Sequence, residues 1–296
     1  MKTITVVANA KINLSLDVIG RRADGYHLLS TIMQSVCLAD RITVSSAPDR
    51  VGVRLTCGQA RIPSDSRNTA WRSAARFLEK AGVATGVSID IDKRIPTAAG
   101  MAGGSADAAA VLFALNEMYP ERLSRQTLFE IAATIGADVP FCLQGGTVLC
   151  EGIGELLTPM QLWADVWVLL CKPSFGIRTP WVFSQFKIDQ PGRRPDQAKV
   201  MDAVRNHDLE ALAASTSNVL ESVSIPAHPF LNEIKQQLKN AGAILSLMSG
   251  SGPTVFGLFA DQASCLAAKN KLTAELPADT IIIATQTCAS GCLLAP

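Results

Sequence analysis

The sequence predicts an α+β protein. Short runs rich in β-branched residues alternate with helical patterns along the whole chain. Two glycine-rich turns punctuate that alternation, the first glycine loop (residues 96–106) and the second glycine loop (residues 249–254). The length of 296 residues indicates one large or two medium domains. A chain of this length can bury a sizeable core without disulfides or metals.

Composition excludes several classes of protein. Hydrophobic residues make up 48% of the chain, charged residues 18%, and the formal net charge is +1. A nearly neutral chain is a poor match for a phosphate backbone, so we expect no nucleic-acid partner. No apolar run approaches the length of a membrane span, and the opening MKTITVVANA is too short for a signal peptide. We expect a cytoplasmic protein without a membrane partner, whose chain begins with a strand.

Eight cysteines lie mostly inside apolar segments, without a paired C-x-x-C arrangement. Buried reduced thiols are the expected state, which fits a cytosolic compartment. Cys288 and Cys292 could instead bind a metal, but no histidine lies near them in sequence. We therefore predict no structural metal.

The N-terminal segment places a lysine between apolar strand residues. Residues 2–8 and 12–19 predict two strands that flank residues 8–11. Lys11 and Asn13 then lie on the same face of the second strand. Lys11 is either a solvated edge residue or a side chain with a directed role, and its position within the strand favours the second interpretation.

The next segment begins with a polar loop over residues 20–27 that ends in His27. His27 could act as a general base, but a single histidine after an aromatic residue is more often a hydrogen-bonding group. An apolar stretch follows and ends in a turn at Ala39 and Asp40. The elements expected after that turn are strands at 42–45 and 51–56, a helix at 68–81 that Gly82 ends, and a strand at 87–91.

The first glycine loop leads directly into an alanine-rich helix that stops before Pro120. Gly100, Gly103 and Gly104 carry no Cβ, so their amides can approach a ligand closely. A helix N-terminus carries unpaired N–H groups and a partial positive charge, which suits phosphate. The alternative is a glycine turn that caps an ordinary buried helix. The common phosphate-binding templates and the hydrolase elbow are absent, so neither alternative is excluded.

Asp138 lies in a short apolar turn stiffened by Pro140. A carboxylate in such a place is desolvated unless it is paired, and Lys11 is the obvious cation. The alternative is that Asp138 caps a helix or turn. The elements expected around and after it are helices at 123–135, 197–220, 229–241 and 262–276, strands at 147–151, 166–172, 243–248, 255–260 and 280–285, and an exposed linker at 190–197.

Taken in order, these segments resemble the GHMP kinase superfamily. The matching strings are AKINL with GRRADGYH near the N-terminus, the first glycine loop with Asp107, GADVPF at 136–141, and SGSGPTVF at 249–256. The glycine loops resemble those of the whole superfamily. GRRADGYH, at residues 20–27, is similar to the string of members that phosphorylate a cytidine diphosphate methylerythritol.

The resemblance implies a two-domain GHMP kinase fold with the active site in the cleft between the domains. The N-terminal domain, residues 1–155, would contain a left-handed βαβ unit, although the general rule for parallel units is a right-handed crossover. The C-terminal domain, residues 156–296, would be ferredoxin-like. A monomer or weak homodimer is expected.

The activity that the resemblance implies is ATP-dependent phosphorylation, with Mg²⁺, of the 2-hydroxyl of that substrate in the non-mevalonate route to isoprenoid precursors. Asp138 would take the proton of the hydroxyl, and Lys11 would keep Asp138 ionised. Tyr26 and Phe183 would enclose the cytosine, while Asn13 and His27 would hydrogen-bond the substrate. Thr179 would also contact the substrate. The triphosphate would be bound by Pro96, Thr97, Ala98, Ala99, Gly100, Met101, Ala102, Gly103, Gly104, Ser105 and Ala106.

The chain departs from the family pattern in two places. The loop usually reads G-L-G-G-G-S-S-D, whereas Met101, Ala102 and Ala106 stand here for a leucine, a glycine and a serine. Where the family tends toward N-D-L-E, residues 218–221 read NVLE. Two rival functions stay open. Another small-molecule GHMP kinase would phosphorylate a different alcohol, and a nucleotide-sensing or RNA-binding module would bind ligand without releasing ADP.

Overall fold

The computed structural model describes residues 2–49, 51–120 and 122–296. Its first half contains six strands and four helices. They are β1 (Thr3–Arg21), β2 (His27–Ala47), β3 (Val53–Cys57), α1 (Thr69–Ala81), β4 (Gly86–Asp92), α2 (Gly103–Met118), α3 (Arg125–Ile135), α4 (Val139–Gln144), β5 (Thr147–Gly152) and β6 (Leu156–Pro159).

The second half adds five strands and six helices among the described residues. They are β7 (Trp167–Lys172), α5 (Thr179–Gln185), α6 (Gln197–Asn206), α7 (Leu209–Ser215), α8 (Glu221–Ala227), α9 (Phe230–Asn240), β8 (Leu245–Met248), β9 (Val255–Phe259), α10 (Gln262–Glu275), β10 (Ile281–Gln286) and β11 (Cys292–Leu294).

A long antiparallel hairpin of β1 and β2 forms the centre of the first sheet. The predicted break between two strands at residues 8–11 is wrong, and so is the predicted turn at Ala39 and Asp40. Irregularities in the pairing after Asn9, Asn13 and Val18 let both strands continue. A β-bulge accommodates an extra residue without ending the ladder, so the alternation that the sequence seems to interrupt is only shifted.

The parallel pair β3 and β4, joined by α1, is a βαβ unit. Helix α1 confirms its predicted ends. Asn68 accepts a hydrogen bond from the amide of Ala70, and Gly82 takes a left-handed conformation with φ 62°. The left-handed crossover stays a prediction of the family resemblance.

The second sheet is antiparallel, with strand order β10-β7-β9-β8. Helix α9 precedes β8, and α10 lies between β9 and β10. This chain order and strand order are those of a ferredoxin-like unit, as predicted. The predicted 197–220 helix is divided into α6 and α7, because His207 ends α6 in a left-handed conformation and Asp208 caps α7.

The first sheet has the order β11-β1-β2-β4-β3, with β5 on β2 and β6 on β5. Two of its strands, β6 and β11, follow residue 155. The division into domains at residues 1–155 and 156–296 therefore stays a prediction, since the end of the chain returns to the first sheet. The three residues of β11 are too few for a sequence pattern, and this strand was not predicted.

Two hydrophobic cores lie in the described residues, and each includes side chains from both sheets. Helix α2 runs through the first core, where Ala106 and residues 108–112 are fully buried. Five of the eight cysteines are buried, and all eight are unpaired. Within residues 2–49, 51–120 and 122–296, no helix is both long enough and apolar enough to span a membrane.

Candidate active site

A cavity of about 1050 Å³ contains most of the predicted site residues on its walls. The first half of the chain contributes Lys11 from β1, Gly103 from the first glycine loop and Asp138 from the turn before α4, among others. The wall on the second sheet's side includes Phe183 and Ser251. Side chains from both halves of the fold thus face one cavity.

Lys11 lies on β1 and is only 4% exposed, so the interpretation as a solvated edge residue is wrong. Its ammonium donates a hydrogen bond to Oδ1 of Asn13 at 2.7 Å, which places both side chains on one face as predicted. Nζ lies 3.8 Å from Oδ2 of Asp138. Asn13 in turn donates to Thr31 at 2.9 Å, and these contacts fix the direction of the ammonium.

Asp138 immediately precedes α4, a short helix that the sequence did not reveal. Its carboxylate caps no backbone amide, although Pro140 stands in the first turn. The capping interpretation is therefore wrong for the side chain. With 31% of that side chain exposed, the carboxylate faces the cavity and has the Lys11 ammonium as its cationic neighbour. This arrangement can accept a proton from a group held in the cavity.

The first glycine loop ends in the N-terminus of α2. Ala98, Gly100 and Ala102 have positive φ, at 49°, 74° and 56°. Ala102 thus adopts the left-handed conformation despite its Cβ, and its side chain caps nothing. The first turn of α2 leaves amides without helical partners, and it begins with Gly103 on the cavity wall.

Two residues predicted to bind the triphosphate point away from the cavity. Met101 and Ala106 are 1% and 0% exposed and lie in the core. Residues 96–100 and 102–105 do line the cavity. The carbonyl of Met101 accepts a hydrogen bond from the amide of Lys11 at 3.2 Å, which ties the loop to β1.

The two glycine loops pack against each other, although Gly100 and Ser249 are 149 residues apart in sequence. The hydroxyl of Ser249 donates to the carbonyl of Gly100 at 2.9 Å. A Cβ on Gly100 would lie 2.2 Å from the carbonyl oxygen of Ser249. Gly250 comes close to Lys11, because a Cβ built there would lie 3.4 Å from Nζ. The sequence around either loop contains no signal that predicts the contact between the two loops.

Aromatic side chains, Tyr26 and Phe183 among them, also line the cavity. The rings of His27 and Phe183 stack at 5.2 Å, while Tyr26 is 60% exposed. Thr179 shares a hydrogen bond of 2.8 Å with Ser251, so it connects α5 to the second glycine loop. Burial and the positive charge of Arg21 lower the pKa of His27. A neutral imidazole suits a hydrogen-bonding group better than a cation.

A buried cluster beside the first glycine loop, which the sequence did not predict, also reaches the cavity wall. The ammonium of Lys93 contacts Oδ2 of Asp40 and lies 2.8 Å from Oδ2 of Asp107. We call these three residues the Lys93 cluster. Burial, together with the charge of Asp40, raises the pKa of Asp107 to about 8, even though Lys93 opposes that shift. Lys93 lies in the polar string DKR, which resembles a solvated segment, so the sequence carried no usable signal.

Residues 218–221 hold the second glycine loop, and Leu220 of this segment lines the cavity. Asn218 donates to the carbonyls of Met248 and Gly250 at 2.8 and 2.7 Å. Glu221 accepts a hydrogen bond from the amide of Met248 at 2.9 Å. Val219, which replaces the acid of the family pattern, is buried in the second core. The valine at this position therefore contributes to the packing of the second core.

Comparison with protein families and known structures identifies the fold. Residues 68–146 match the GHMP kinases N terminal domain, and residues 200–278 match the GHMP kinases C terminal domain. A homoserine kinase from Cytophaga hutchinsonii superposes with a TM-score of 0.81 at 20% identity, over 100% of this chain and 98% of the other. At that identity the likeness concerns the fold alone.

Relatives with higher identity carry one name. A 4-diphosphocytidyl-2-C-methyl-D-erythritol kinase from Acetivibrio thermocellus is 44% identical, over 90% of this chain and 94% of the relative. Its counterpart from Clostridium botulinum is 45% identical, over 86% and 90%. A crystal structure of 4-(cytidine 5'-diphospho)-2C-methyl-D-erythritol kinase superposes with a TM-score of 0.82 at 33% identity, over 97% of this chain and 100% of the other. The chain therefore belongs to the GHMP kinases, as an ATP-dependent small-molecule kinase.

Proposed function

We propose that this kinase phosphorylates the 2-hydroxyl of 4-diphosphocytidyl-2-C-methyl-D-erythritol, a step toward isoprenoid precursors. The relatives that share 44 and 45% of its residues over nearly their whole length bear the name of that activity. The observation that carries the chemistry is the Lys11–Asp138 pair, at 3.8 Å, in the cavity that also receives the N-terminus of α2.

The residues at the first glycine loop fit a triphosphate. The first turn of α2 contains no acidic residue, and its unpaired amides lie on the cavity wall. The helix dipole adds a partial positive charge at the same point. We infer that residues 96–100 and 102–105 hold the phosphates, mainly through their backbone.

In the same cavity, Asp138 would accept the proton of the attacking hydroxyl. Lys11 would keep Asp138 ionised and orient the hydroxyl, and Asn13 would hold the Lys11 ammonium in place through the hydrogen bond of 2.7 Å. ATP, when bound, supplies the phosphoryl group. Alignment of acceptor and donor contributes most of the acceleration in such transfers, so a fixed ammonium and a fixed loop matter more than covalent chemistry.

The cytidine end of the substrate would lie among the aromatic residues. Tyr26 is exposed at the cavity rim and free to close over a base, while Phe183 offers a ring face. His27 stacks on Phe183 and would hydrogen-bond the base, as a neutral imidazole can both donate and accept. Thr179 and Asn13 would complete the substrate contacts.

We propose that Mg²⁺ accompanies ATP in this site. We also propose that the enzyme is cytoplasmic. This ion keeps several waters and binds largely through the phosphate oxygens of the nucleotide, with one or two carboxylates at most. Removal of divalent ions with a chelator should abolish turnover, and added Mg²⁺ should restore it.

A coupled ADP-release assay tests the proposed substrate. The cytidine diphosphate substrate should give turnover that is at least about 10²-fold faster than mevalonate or homoserine at equal concentration, since a site built for a base penalises its absence. Faster turnover of either other alcohol would contradict the proposal. Nucleotide binding without ADP release from any alcohol would support a non-catalytic module instead.

A further inference from the structure

The Lys93 cluster adjoins the first glycine loop, and two of its residues, Lys93 and Asp107, also line the cavity. Its three side chains come from distant parts of the chain, with Asp40 on β2, Lys93 just after β4, and Asp107 on α2. The side chains are at most 5% exposed. A lysine buried between two carboxylates is costly to desolvate unless the geometry satisfies it, so the contacts around it are informative.

Asp40 holds the segment that enters the loop. Its Oδ1 accepts hydrogen bonds from the amides of Arg94 at 2.5 Å and Ile95 at 2.8 Å. Its Oδ2 accepts from the ammonium of Lys93. The same ammonium donates to Asp107 at 2.8 Å, so one cation connects the loop entrance to the helix that follows the loop.

The backbone of α2 begins against that ammonium. A Cβ built on Gly103 would lie 2.9 Å from Nζ of Lys93 and 3.0 Å from Cγ2 of Ile95. Gly103 does not have a positive φ, so close approach, and not backbone conformation, is the reason that glycine fits here. The first turn of α2 cannot shift toward the core without displacing Lys93.

We propose that Lys93 is a positioning residue for the nucleotide: through Asp40 and Asp107 it fixes the first glycine loop and the first turn of α2 in the shape that binds the triphosphate. Lys93 lies on the cavity wall, but its side chain is only 3% exposed and its ammonium is held by Asp40 and Asp107, so Lys93 acts mainly through the backbone that these contacts fix. Preorganised amides bind a developing or fixed negative charge without the cost of reorientation. This inference deepens the proposed function and rests on its nucleotide site.

Two uncharged replacements of Asp107 distinguish the effect of its hydrogen bond to Lys93 from the effect of its charge. Asp107→Asn keeps an oxygen that can accept from Lys93, whereas Asp107→Leu is equally uncharged and cannot. The dissociation constant of a non-hydrolysable ATP analogue with Mg²⁺, measured by calorimetry, should rise about tenfold or more for the leucine variant. The asparagine variant should stay within about threefold, since it rebuilds the hydrogen bond.

Gly103→Ala provides a second test that leaves all three side chains of the Lys93 cluster in place. Its Cβ would press on Lys93 and Ile95, and nucleotide affinity should fall by a similar factor. Arg94→Met is the matched control, because Arg94 is the exposed neighbour of Lys93 and pairs with Asp92 at the surface. Its affinity should stay within about twofold of wild type.

The wild-type enzyme and the variants should also be compared by KM for ATP and KM for the alcohol. Positioning of the loop predicts a higher KM for ATP with little change in KM for the alcohol, whereas a purely structural role lowers only the melting temperature. Folded Asp107→Leu or Gly103→Ala protein that binds the analogue like wild type would overturn the inference. Because the binding measurement contains no alcohol, its result does not depend on which alcohol the enzyme phosphorylates.

Discussion

Lys11 has two oxygen partners at different distances, and that difference defines its role. Asn13 accepts a hydrogen bond from the Lys11 ammonium at 2.7 Å, whereas Asp138 lies 3.8 Å away, beyond hydrogen-bond range. The ammonium is therefore positioned by the amide and stabilises the carboxylate electrostatically. Under the proposed function, the carboxylate would keep its lone pairs for the hydroxyl of the substrate.

Lys11→Ala should lower kcat by about 10²-fold or more, because a fixed charge is lost where negative charge develops. KM for the alcohol should change little. Steady-state kinetics with both substrates measure this split, and Lys80→Ala on the exposed face of α1 is the control. An effect confined to KM would make Lys11 a substrate-binding residue instead.

Ala102 stands in a left-handed conformation, at φ 56°, where the family pattern has glycine. For a residue with a Cβ this conformation costs about 1 kcal/mol. Ala102→Gly should therefore raise the free energy of unfolding by up to about 1 kcal/mol, less the entropy that glycine loses. Denaturant unfolding measures it. Ala108→Gly, in the interior of α2, should lower the same quantity by about 1 kcal/mol. Equal losses in both variants would refute the strain at residue 102.

Among the elements, residues 216–221 connect the two halves of the fold. The amide of Leu16 donates to Ser217, and the amide of Val219 donates to Leu16, both at 3.0 Å. Asn218 then reaches the second glycine loop through two carbonyls. This segment couples β1, which contains Lys11, to the loop that borders the Lys11 ammonium.

Asn218→Ala should destabilise the protein by about 2 kcal/mol, because it leaves the buried carbonyls of Met248 and Gly250 without their donor. Turnover should also fall, since Gly250 adjoins Lys11. Thermal unfolding and kcat are the measurements. Asn232→Ala, at an exposed position of α9, should change neither. Unchanged kcat in folded Asn218→Ala protein would show that the second glycine loop does not position Lys11.

The Lys93 cluster predicts a particular pH dependence of stability. Burial raises the pKa of Asp107 to about 8 in the folded protein, whereas the ordinary value is 3.8. The folded state thus binds a proton that the unfolded state releases, and this contribution is lost as pH rises from about 4 to about 8. Relative to Asp107→Asn, wild type should lose up to about 1.4 kcal/mol of unfolding free energy per pH unit in this window. Parallel curves for the two proteins would contradict the shift.

The sequence predicted correctly those helices whose ends are set by neighbouring capping residues. Asn68 and Gly82 bound α1, and Ser124 caps α3, because capping needs only neighbouring backbone. The β1–β2 hairpin was mispredicted for the opposite reason. Whether the strand continues through Asp40 depends on its pairing with β1 and on a lysine 53 residues away, which no local window contains.

The sequence predicted those site residues that are charged and stand in apolar segments. Lys11 in an apolar strand and Asp138 in an apolar turn both stood out, and they do lie together. Lys93 stood in a polar string and Asp107 followed a glycine loop, so both looked ordinary. Their role arises only from tertiary packing. The inward direction of Met101 and Ala106 also followed from the turn geometry of the loop, which residue types alone do not give.

At the scale of the whole molecule, the cavity combines two unlike halves. The first half provides the buried Lys11 on β1, the Asp138 carboxylate before α4 and the amides of the first turn of α2. The ferredoxin-like half provides α5, with Thr179 and Phe183, and the second glycine loop. Under the proposed function both halves would contact the substrate, Asn13, Tyr26 and His27 from the first and Thr179 and Phe183 from the second, and packing of the two halves brings these residues to one cavity.

Single-turnover phosphoryl transfer to 4-diphosphocytidyl-2-C-methyl-D-erythritol by Asp138→Asn protein tests this account most directly. The variant should fold and bind nucleotide like wild type, while the transfer rate should fall by about 10²- to 10⁴-fold, the range expected for loss of a general base. Asp189→Asn, in an exposed position, should transfer at the wild-type rate. A transfer rate near wild type in folded Asp138→Asn protein would contradict the central claim that the Lys11–Asp138 pair performs the proton transfer.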